Sequence, residues 1–207
     1  MIISPQGHNL VSQVGGKYAD WCRAGFIYVA RSGAAAAIPV NTALINSPTL
    51  WNPANSGKCI IPLSISMSIA GLGTQIIDGF TISYLTDAGR EVASGLPIAT
   101  WADIQINQMK LNNSLSRKVS SARFANGTVT FTAQPVALLD LGMGQWVSGT
   151  AGTGSAYNNH LYRFEGELEL EPGTAISIGA ATVASSGTYW TSIVYAEIPL
   201  SYYEGNY

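Results

Sequence analysis

Four glutamates that alternate along one stretch are the strongest concentration of charge in the sequence. Glu165, Glu167, Glu169 and Glu171 could offer carboxylates to Ca²⁺, or supply a general acid and a general base. In an extended strand, side chains two residues apart point the same way and stand about 7 Å apart in a row. Calcium instead needs ligands that surround it. The pattern therefore favours a solvated outer face that resists edge pairing.

No other set of residues completes a familiar catalytic or cofactor motif. His8 and His160 are the only histidines, and neither has a partner motif that would make it a general base. Gly57-Lys58 resembles the end of a phosphate-binding loop, but Cys59 stands where a Ser or Thr would hold the metal. A polysaccharide-cleaving enzyme would need two convergent carboxylates, which no motif brings together. We expect no catalysis, no cofactor and no metal.

The two cysteines, Cys22 and Cys59, are too few for a disulfide scaffold and lie outside any metal-binding spacing. Cys59 falls within an apolar run and is predicted to be a small core residue. A single bridge between them stays open at this point.

The composition favours a folded protein with an unusually neutral surface. Of the 207 residues, 47% are hydrophobic and 11% are charged, with a net charge of −2. Such a chain is too hydrophobic to be disordered and too acidic for a nucleic-acid partner. A surface with so few charges is kept soluble by Ser, Thr and Asn, or is covered in an assembly. Because no signal peptide or membrane-spanning run is visible, we expect synthesis in a cytoplasm and no membrane partner.

Period-2 alternation indicates β-strands along most of the chain. The clearest are at the C-terminal end, where 162–171 alternates apolar residues with glutamates, Pro172-Gly173 supplies a turn, and strands follow at 174–180 and 189–200. Segment 47–58 contains a short predicted strand and a loop. The other predicted strands are 25–31, 59–69, 79–86, 104–111, 128–133 and 136–141.

We therefore predict an all-β fold: an antiparallel β-sandwich of eight to ten strands with jelly-roll topology. No amphipathic helix is convincing, and the alanine-rich segment 33–40 is too short and too close to a proline for one. The predicted organisation is an N-terminal arm at 1–20, a sandwich domain at 21–200 and a C-terminal tail at 201–207.

Two stretches resemble the jelly-roll virion proteins of tailed bacteriophages. One is 170–178 with 192–199, which is similar to the final strands of those proteins; the other is 51–58, similar to the segment that leads into a sandwich strand. They contain no catalytic residue. More distantly, the chain resembles trimeric tumour-necrosis-factor-like sandwiches.

The resemblance implies a structural virion protein of the decoration or cement type, which binds neighbouring capsid or tail subunits and often trimerises. We expect such a protein in the virion after synthesis in the host cytoplasm. The candidate interface residues are aromatic and lie in the last strand and the tail: Tyr189, Trp190, Tyr195, Tyr202 and Tyr203.

The alternative function is a carbohydrate- or receptor-binding module of a phage tail. Loop aromatics can stack on sugars, and the candidates for this are Trp51, Trp146 and Tyr157. In a sandwich, aromatic residues more often fill the core or anchor subunit contacts. The sequence leaves open the head or tail location, the partner subunit and the stoichiometry.

Overall fold

Two antiparallel β-sheets face each other in the computed structural model, which describes residues 18–40, 48–71, 79–85, 106–110, 119–125, 131, 135–143, 160–164, 166–181 and 187–201. One sheet has the strand order β6-β1-β11-β4-β9, with β2 beside β11, and the other has the order β7-β3-β10-β5-β8. The described elements are α1 (Ala19–Ala24), β1 (Ile27–Arg31), β2 (Ala36–Ala37), β3 (Thr49–Trp51), β4 (Lys58–Gly71), β5 (Gly79–Leu85), β6 (Ile106–Gln108), β7 (Arg123–Ala125), β8 (Val136–Met143), β9 (His160–Arg163), β10 (Ala175–Ala180) and β11 (Thr188–Pro199).

The strand order is that of a jelly roll. Without the short β2 and the flanking β6 and β7, eight strands remain, and they pair as nested antiparallel couples: β1 with β11, β3 with β10, β4 with β9, and β5 with β8. When such a nested ladder is rolled, the eighth strand also meets the third and the seventh meets the fourth. Both contacts are present, as β11 with β4 and β10 with β5. The predicted β-sandwich with jelly-roll topology is confirmed.

The core lies between the sheets, where the inward-facing side chains of both meet. Because side chains alternate along a strand, one residue in two points inward, and the bulkiest of these are aromatic. The aromatic side chains with almost no exposure are Tyr28, Phe80, Phe124, Phe164, Tyr189 and Tyr195. Burying one such side chain contributes about 1.5–3 kcal/mol, so this aromatic set is a major part of the stabilisation.

A β-bulge in β4 changes which residues of the strand point into the core. Val194 pairs with Ser64 and Tyr195 pairs with Pro62, which leaves Leu63 as an extra residue. Leu63 packs in an outer apolar cluster, whereas Ile65 and the alternating apolar residues after it point into the core. Strict alternation along the predicted strand 59–69 would place Leu63 on the same face as Ile65, but the bulge shifts the alternation by one residue.

A short helix covers the outer apolar cluster. Trp21 and Cys22 of α1 pack over Ile27 and Ile198 on the outer face of the first sheet. The helix ends at Gly25, whose φ of 77° lies in the left-handed region that favours glycine. The last two residues of the predicted arm 1–20, Ala19 and Asp20, belong to this helix, whose six residues gain stability from packing rather than from their length.

The predicted strand 162–171 is broken after β9. Gly166 has a φ of 101°, which a strand cannot contain, and only Leu170 resumes pairing, through an isolated bridge to Ile60. Phe164 and Leu170 nevertheless point into the core, as the alternation predicts. Glu167, Glu169 and Glu171 therefore lie on an irregular connection rather than on a continuous strand face, and Glu165 lies outside the described residues.

The other predicted elements differ from the observed ones mainly in where they begin and end. β6 is shorter than the predicted strand 104–111, and β7 begins inside the polar segment 112–123, for which we predict a short helix or a loop. Of the predicted strand 128–133, Phe131 is the part among the described residues; most of the arm and the tail beyond residue 201 lie outside them.

Candidate functional site

Two of the five predicted interface aromatics belong to the core. Tyr189 and Tyr195 are both 0% exposed and pack between the sheets, so the prediction that they form an interface is wrong. The reason is their position in the alternation of β11, where odd-numbered residues from 189 to 197 point inward. Tyr202 and Tyr203 lie outside the described residues.

Trp190 points the other way, onto the outer face of the first sheet. The Arg31 guanidinium lies 5.4 Å from the centre of its ring. Beside it, the hydroxyls of Ser66 and Ser192 are 2.7 Å apart across neighbouring strands, and Leu161 on the edge strand is 57% exposed. This outer face combines small polar side chains with exposed hydrophobic and cationic ones, which suits contact with another protein surface.

The sugar-binding candidate Trp51 is also a core residue. It is 3% exposed and packs with Leu85, Phe131 and Ala175 in a second apolar cluster. A ring enclosed in this way has no free face for a sugar, so the prediction is wrong at this position. The other two candidates, Trp146 and Tyr157, lie outside the described residues.

A buried carboxylate forms the densest polar cluster of the described chain. Glu197 points inward near the end of β11, and its Oε2 lies 2.7 Å from the Lys58 ammonium. Its two oxygens also accept hydrogen bonds from the Ser120 hydroxyl, from the hydroxyl of Ser121 and from the backbone N–H groups of Ser121 and Ala122. Both oxygens of the carboxylate are thus paired or hydrogen-bonded, as a buried charge requires. We call this cluster a structural lock, because it joins β11 to the segment 120–122.

Two tyrosines extend this cluster into the core. The Tyr195 hydroxyl lies 2.8 Å from the Ser120 hydroxyl, and the Tyr28 ring stacks on Tyr195 with 5.9 Å between centroids. Burial, and then the negative charge of Glu197, raise the pKa of Tyr28 to about 12. The sequence analysis did not single out Glu197. It could have been found from its position, because it is an ionisable residue at one of the inward-facing, odd-numbered positions of β11.

An apolar groove lies where β5 and β8 face the connection between β9 and β10. Its volume is about 290 Å³. Its wall is mostly apolar, and the carboxylate of Glu169, a residue of the lining segment, hydrogen-bonds Cys59 instead. The lining residues are Tyr84, Leu138, Leu168, Glu169, Leu170, Thr174, Ala175 and Ile176.

Glu169 also holds the buried thiol of Cys59. The thiol donates a hydrogen bond to a Glu169 carboxylate oxygen, and it lies 3.5 Å from the backbone oxygen of Leu170. Burial, the hydrogen bond to Glu169 and the nearby negative charges raise the pKa of Cys59 far above its ordinary range. The thiol is therefore a neutral donor rather than a nucleophile. Cys22 and Cys59 are both free, which resolves the bridge that the sequence left open.

His160 is placed against the core, away from these carboxylates. Its ring meets Phe80 edge-on with 5.3 Å between centroids, and its Nε2 is buried without a hydrogen-bond partner in the described part of the chain. Burial lowers the pKa of His160 from its ordinary value of 6.5. No carboxylate or nucleophile is recorded in contact with it among the described residues.

Within the described ranges, no three His, Cys, Asp or Glu side chains come close enough to hold a metal ion together. The helix in the described part of the chain is six residues long, and none there has the length and hydropathy of a membrane-spanning segment.

Comparison with known proteins adds little to this geometry. No protein-family model matches the chain, and no curated protein matches it. A chain from the structure of infectious bursal disease virus, Gx strain, matches with 13% sequence identity, over 87% of this chain and 42% of the viral one, at a TM-score of 0.19. This chain thus spans less than half of the viral chain, and a TM-score of that size does not establish a shared fold. The jelly-roll assignment depends on the strand order.

Proposed function

We propose that this chain is a structural protein of a virion that binds and stabilises neighbouring capsid or tail subunits. The strand order carries the proposal, because eight-stranded jelly rolls are a common architecture of viral shells. The fold also serves lectins and cupins, so the surface has to decide among them. Sparse charge in the sequence and an exposed hydrophobic side chain on the outer sheet face favour burial against other subunits.

In its finer form, the proposal is a decoration or cement protein of a tailed bacteriophage that works as a homotrimer without catalysis. The sequence resemblance of the C-terminal strands supports the phage setting. Trp190 and Leu161 on the outer sheet face are the described side chains best placed for a subunit contact, because both are hydrophobic and at least partly exposed.

Antiserum raised against the recombinant chain tests the proposal on purified particles. We expect the chain to be detected by immunoblot in particles from a culture that expresses the gene, and gold-labelled antibody to decorate their surface in electron micrographs. Particles purified to homogeneity that lack the chain would refute a virion role.

The alternative, a carbohydrate-binding module, loses one of its three candidate rings with the burial of Trp51. A glycan array discriminates between the two functions. Saturable binding to one glycan class, abolished by Trp146→Ala or Tyr157→Ala, would favour the alternative; an array without signal favours the structural role.

A further inference from the structure

Beyond the part that α1 covers, the outer face of the first sheet presents two rows of side chains that cross four neighbouring strands. One row is Arg31, Ser192, Ser66 and Leu161, and the next is Val29, Val194, Ser64 and Arg163. We call these eight residues, with Trp190 beside them, the arginine face. The serines on its central strands are small, whereas the arginines and the leucine at its sides are exposed. The larger side chains are thus accessible to a partner that lies across the sheet.

The arginine face carries positive charge that the described residues do not balance. No carboxylate belongs to either row, and no acidic side chain of the described chain pairs with Arg31 or Arg163. The Arg31 guanidinium lies 5.4 Å from the centre of the Trp190 ring. A planar guanidinium held over a ring in this way keeps N–H groups at its edge for a carboxylate. An anionic partner therefore complements this surface.

The strand register sets the spacing of the two arginines. Arg31 on β1 and Arg163 on β9 are separated by β11 and β4, and three strand spacings amount to about 14 Å. Arg31 also lies two residues farther along the sheet, which adds about 7 Å in that direction. Their Cα atoms are therefore about 16 Å apart, too far for one small anion to bridge.

We propose that the arginine face binds an extended acidic segment of a neighbouring subunit, an inference that rests on the proposed function for the source of that segment. In an extended chain, carboxylates four residues apart point the same way and stand about 13 Å apart. The long arginine side chains can close the remaining distance to both. An apolar residue midway between the carboxylates would lie over Ser66 and Ser192, between Trp190 and Leu161.

A protein segment suits this face better than nucleic acid does. Nucleic-acid surfaces gather many lysines and arginines, whereas this chain has a net charge of −2 and the face has two separated arginines. Leu161, at 57% exposure, adds hydrophobic surface of the kind that protein contacts bury. The structure thus assigns an acidic protein segment, rather than a phosphate backbone, to this site.

Three capped pentapeptides test the arginine face on the full-length chain. The probe is acetyl-Glu-Ser-Leu-Ser-Glu-amide, a neutral control replaces both glutamates by glutamine, and acetyl-Ser-Glu-Leu-Glu-Ser-amide has the composition of the probe with closer carboxylates. In titrations followed by amide NMR, we expect the probe to shift the signals of Arg31, Ser66 and Arg163. It should bind about fivefold more tightly than the neutral control and more tightly than the isomer, which cannot reach both arginines.

Two results would overturn the proposal. Equal binding of the probe and either control would show that the spacing or the charge of the carboxylates is not recognised. Tighter binding of a ten-nucleotide thymidine strand than of the probe, at the same ionic strength, would make the face a nucleic-acid site instead.

Matched variants separate the arginine face from general surface charge. We expect Arg31→Gln and Arg163→Gln each to weaken the probe about two- to threefold and to leave the neutral control unchanged. Arg23→Gln removes the same charge from α1, where Arg23 is exposed and paired with Asp20 at 2.8 Å, and should have at most a small effect. Leu161→Ser should weaken the probe and the neutral control alike, because it removes hydrophobic surface. Equal losses from the three arginine variants would reduce the effect to long-range attraction and refute the site.

The arginine face and the proposed function can fail separately. Selective binding of the probe by a chain that is absent from purified virions would uphold the binding site and refute the virion role. A chain present in virions that does not distinguish the probe from the neutral control would refute the binding site alone.

Discussion

At the scale of single residues, Glu197 shows how the fold stabilises a charged side chain that is buried away from water. Moving a carboxylate out of water costs several kcal/mol, even after the protein relaxes. The Lys58 ammonium and the donors of 120–122 offset that cost on both oxygens. The result ties β11 to a segment that leads into β7, which belongs to the opposite sheet. We therefore regard the cluster as a lock between the two sheets rather than as a catalytic centre.

Glu197→Gln should be strongly destabilising. The amide keeps the shape of the carboxylate, but it loses the ion pair with Lys58 and turns an NH₂ group toward donors. We expect a loss of about 3 kcal/mol in the free energy of unfolding, measured by urea denaturation. Glu171→Gln, an exposed change of the same type, should stay within about 0.5 kcal/mol of the wild type. Similar stability of the two variants would contradict the lock.

His160 should make the fold sensitive to acid. Burial favours the neutral ring, so the folded protein takes up a proton less readily than the unfolded chain, whose histidine titrates near 6.5. The contribution of His160 is therefore complete above pH 6.5 and is lost as the pH falls through the lower folded pKa.

Urea denaturation at pH 7 and pH 5 measures this contribution. We expect the unfolding free energy to fall between the two, and His160→Gln to reduce that fall. If His160→Gln keeps the full pH dependence, the acid sensitivity has another origin.

At the scale of elements, the end of α1 is fixed by one glycine. Gly25 has a φ of 77°, and a Cβ at this position would lie 2.5 Å from Nε2 of Gln108. That amide donates a 2.7 Å hydrogen bond to the Gly25 carbonyl oxygen and so joins the helix end to β6. The backbone conformation and the packing therefore both require glycine here.

Gly25→Ala should cost about 2 kcal/mol in unfolding free energy, since it adds a steric clash to the strain of a left-handed alanine. Gly57→Ala is the matched control, because Gly57 has a φ of 63° but open space around the added Cβ. Strain alone should cost it about 1 kcal/mol. Denaturation curves in which the control loses as much as Gly25→Ala would show that the contact with Gln108 contributes nothing.

The elements also mark the limit of what the sequence could predict. Strands with clean alternation, such as β5 and β11, were predicted nearly to their ends, because the periodicity reports directly on one buried face. The bulge at Leu63 and the break at Gly166 were missed, since neither leaves a local signal that outweighs the surrounding pattern. The helix α1 was missed because its stability comes from tertiary packing of six residues, which no periodicity can reveal.

The candidate sites were less predictable than the fold. An aromatic residue in a strand looks the same in sequence whether it faces the core or a partner, so Tyr189, Tyr195 and Trp51 were assigned to surfaces that they do not reach. The groove at Glu169 depends on residues from four separate parts of the chain. Only the strand pairing brings those parts together.

At the scale of the whole molecule, the jelly roll leaves an outer sheet face with Trp190 and Leu161 and an apolar groove beside β8. Both features suit contact with protein surfaces. A chain with 11% charged residues is expected to cover such surfaces by association. Self-association in solution is therefore the direct consequence of the proposed structural role.

Light scattering coupled to size-exclusion chromatography, run from low to high ionic strength, tests that consequence most directly. The account predicts a trimer, with three times the 21.8 kDa mass of the chain, that persists when surface charges are screened. A monomer at every protein and salt concentration would contradict it.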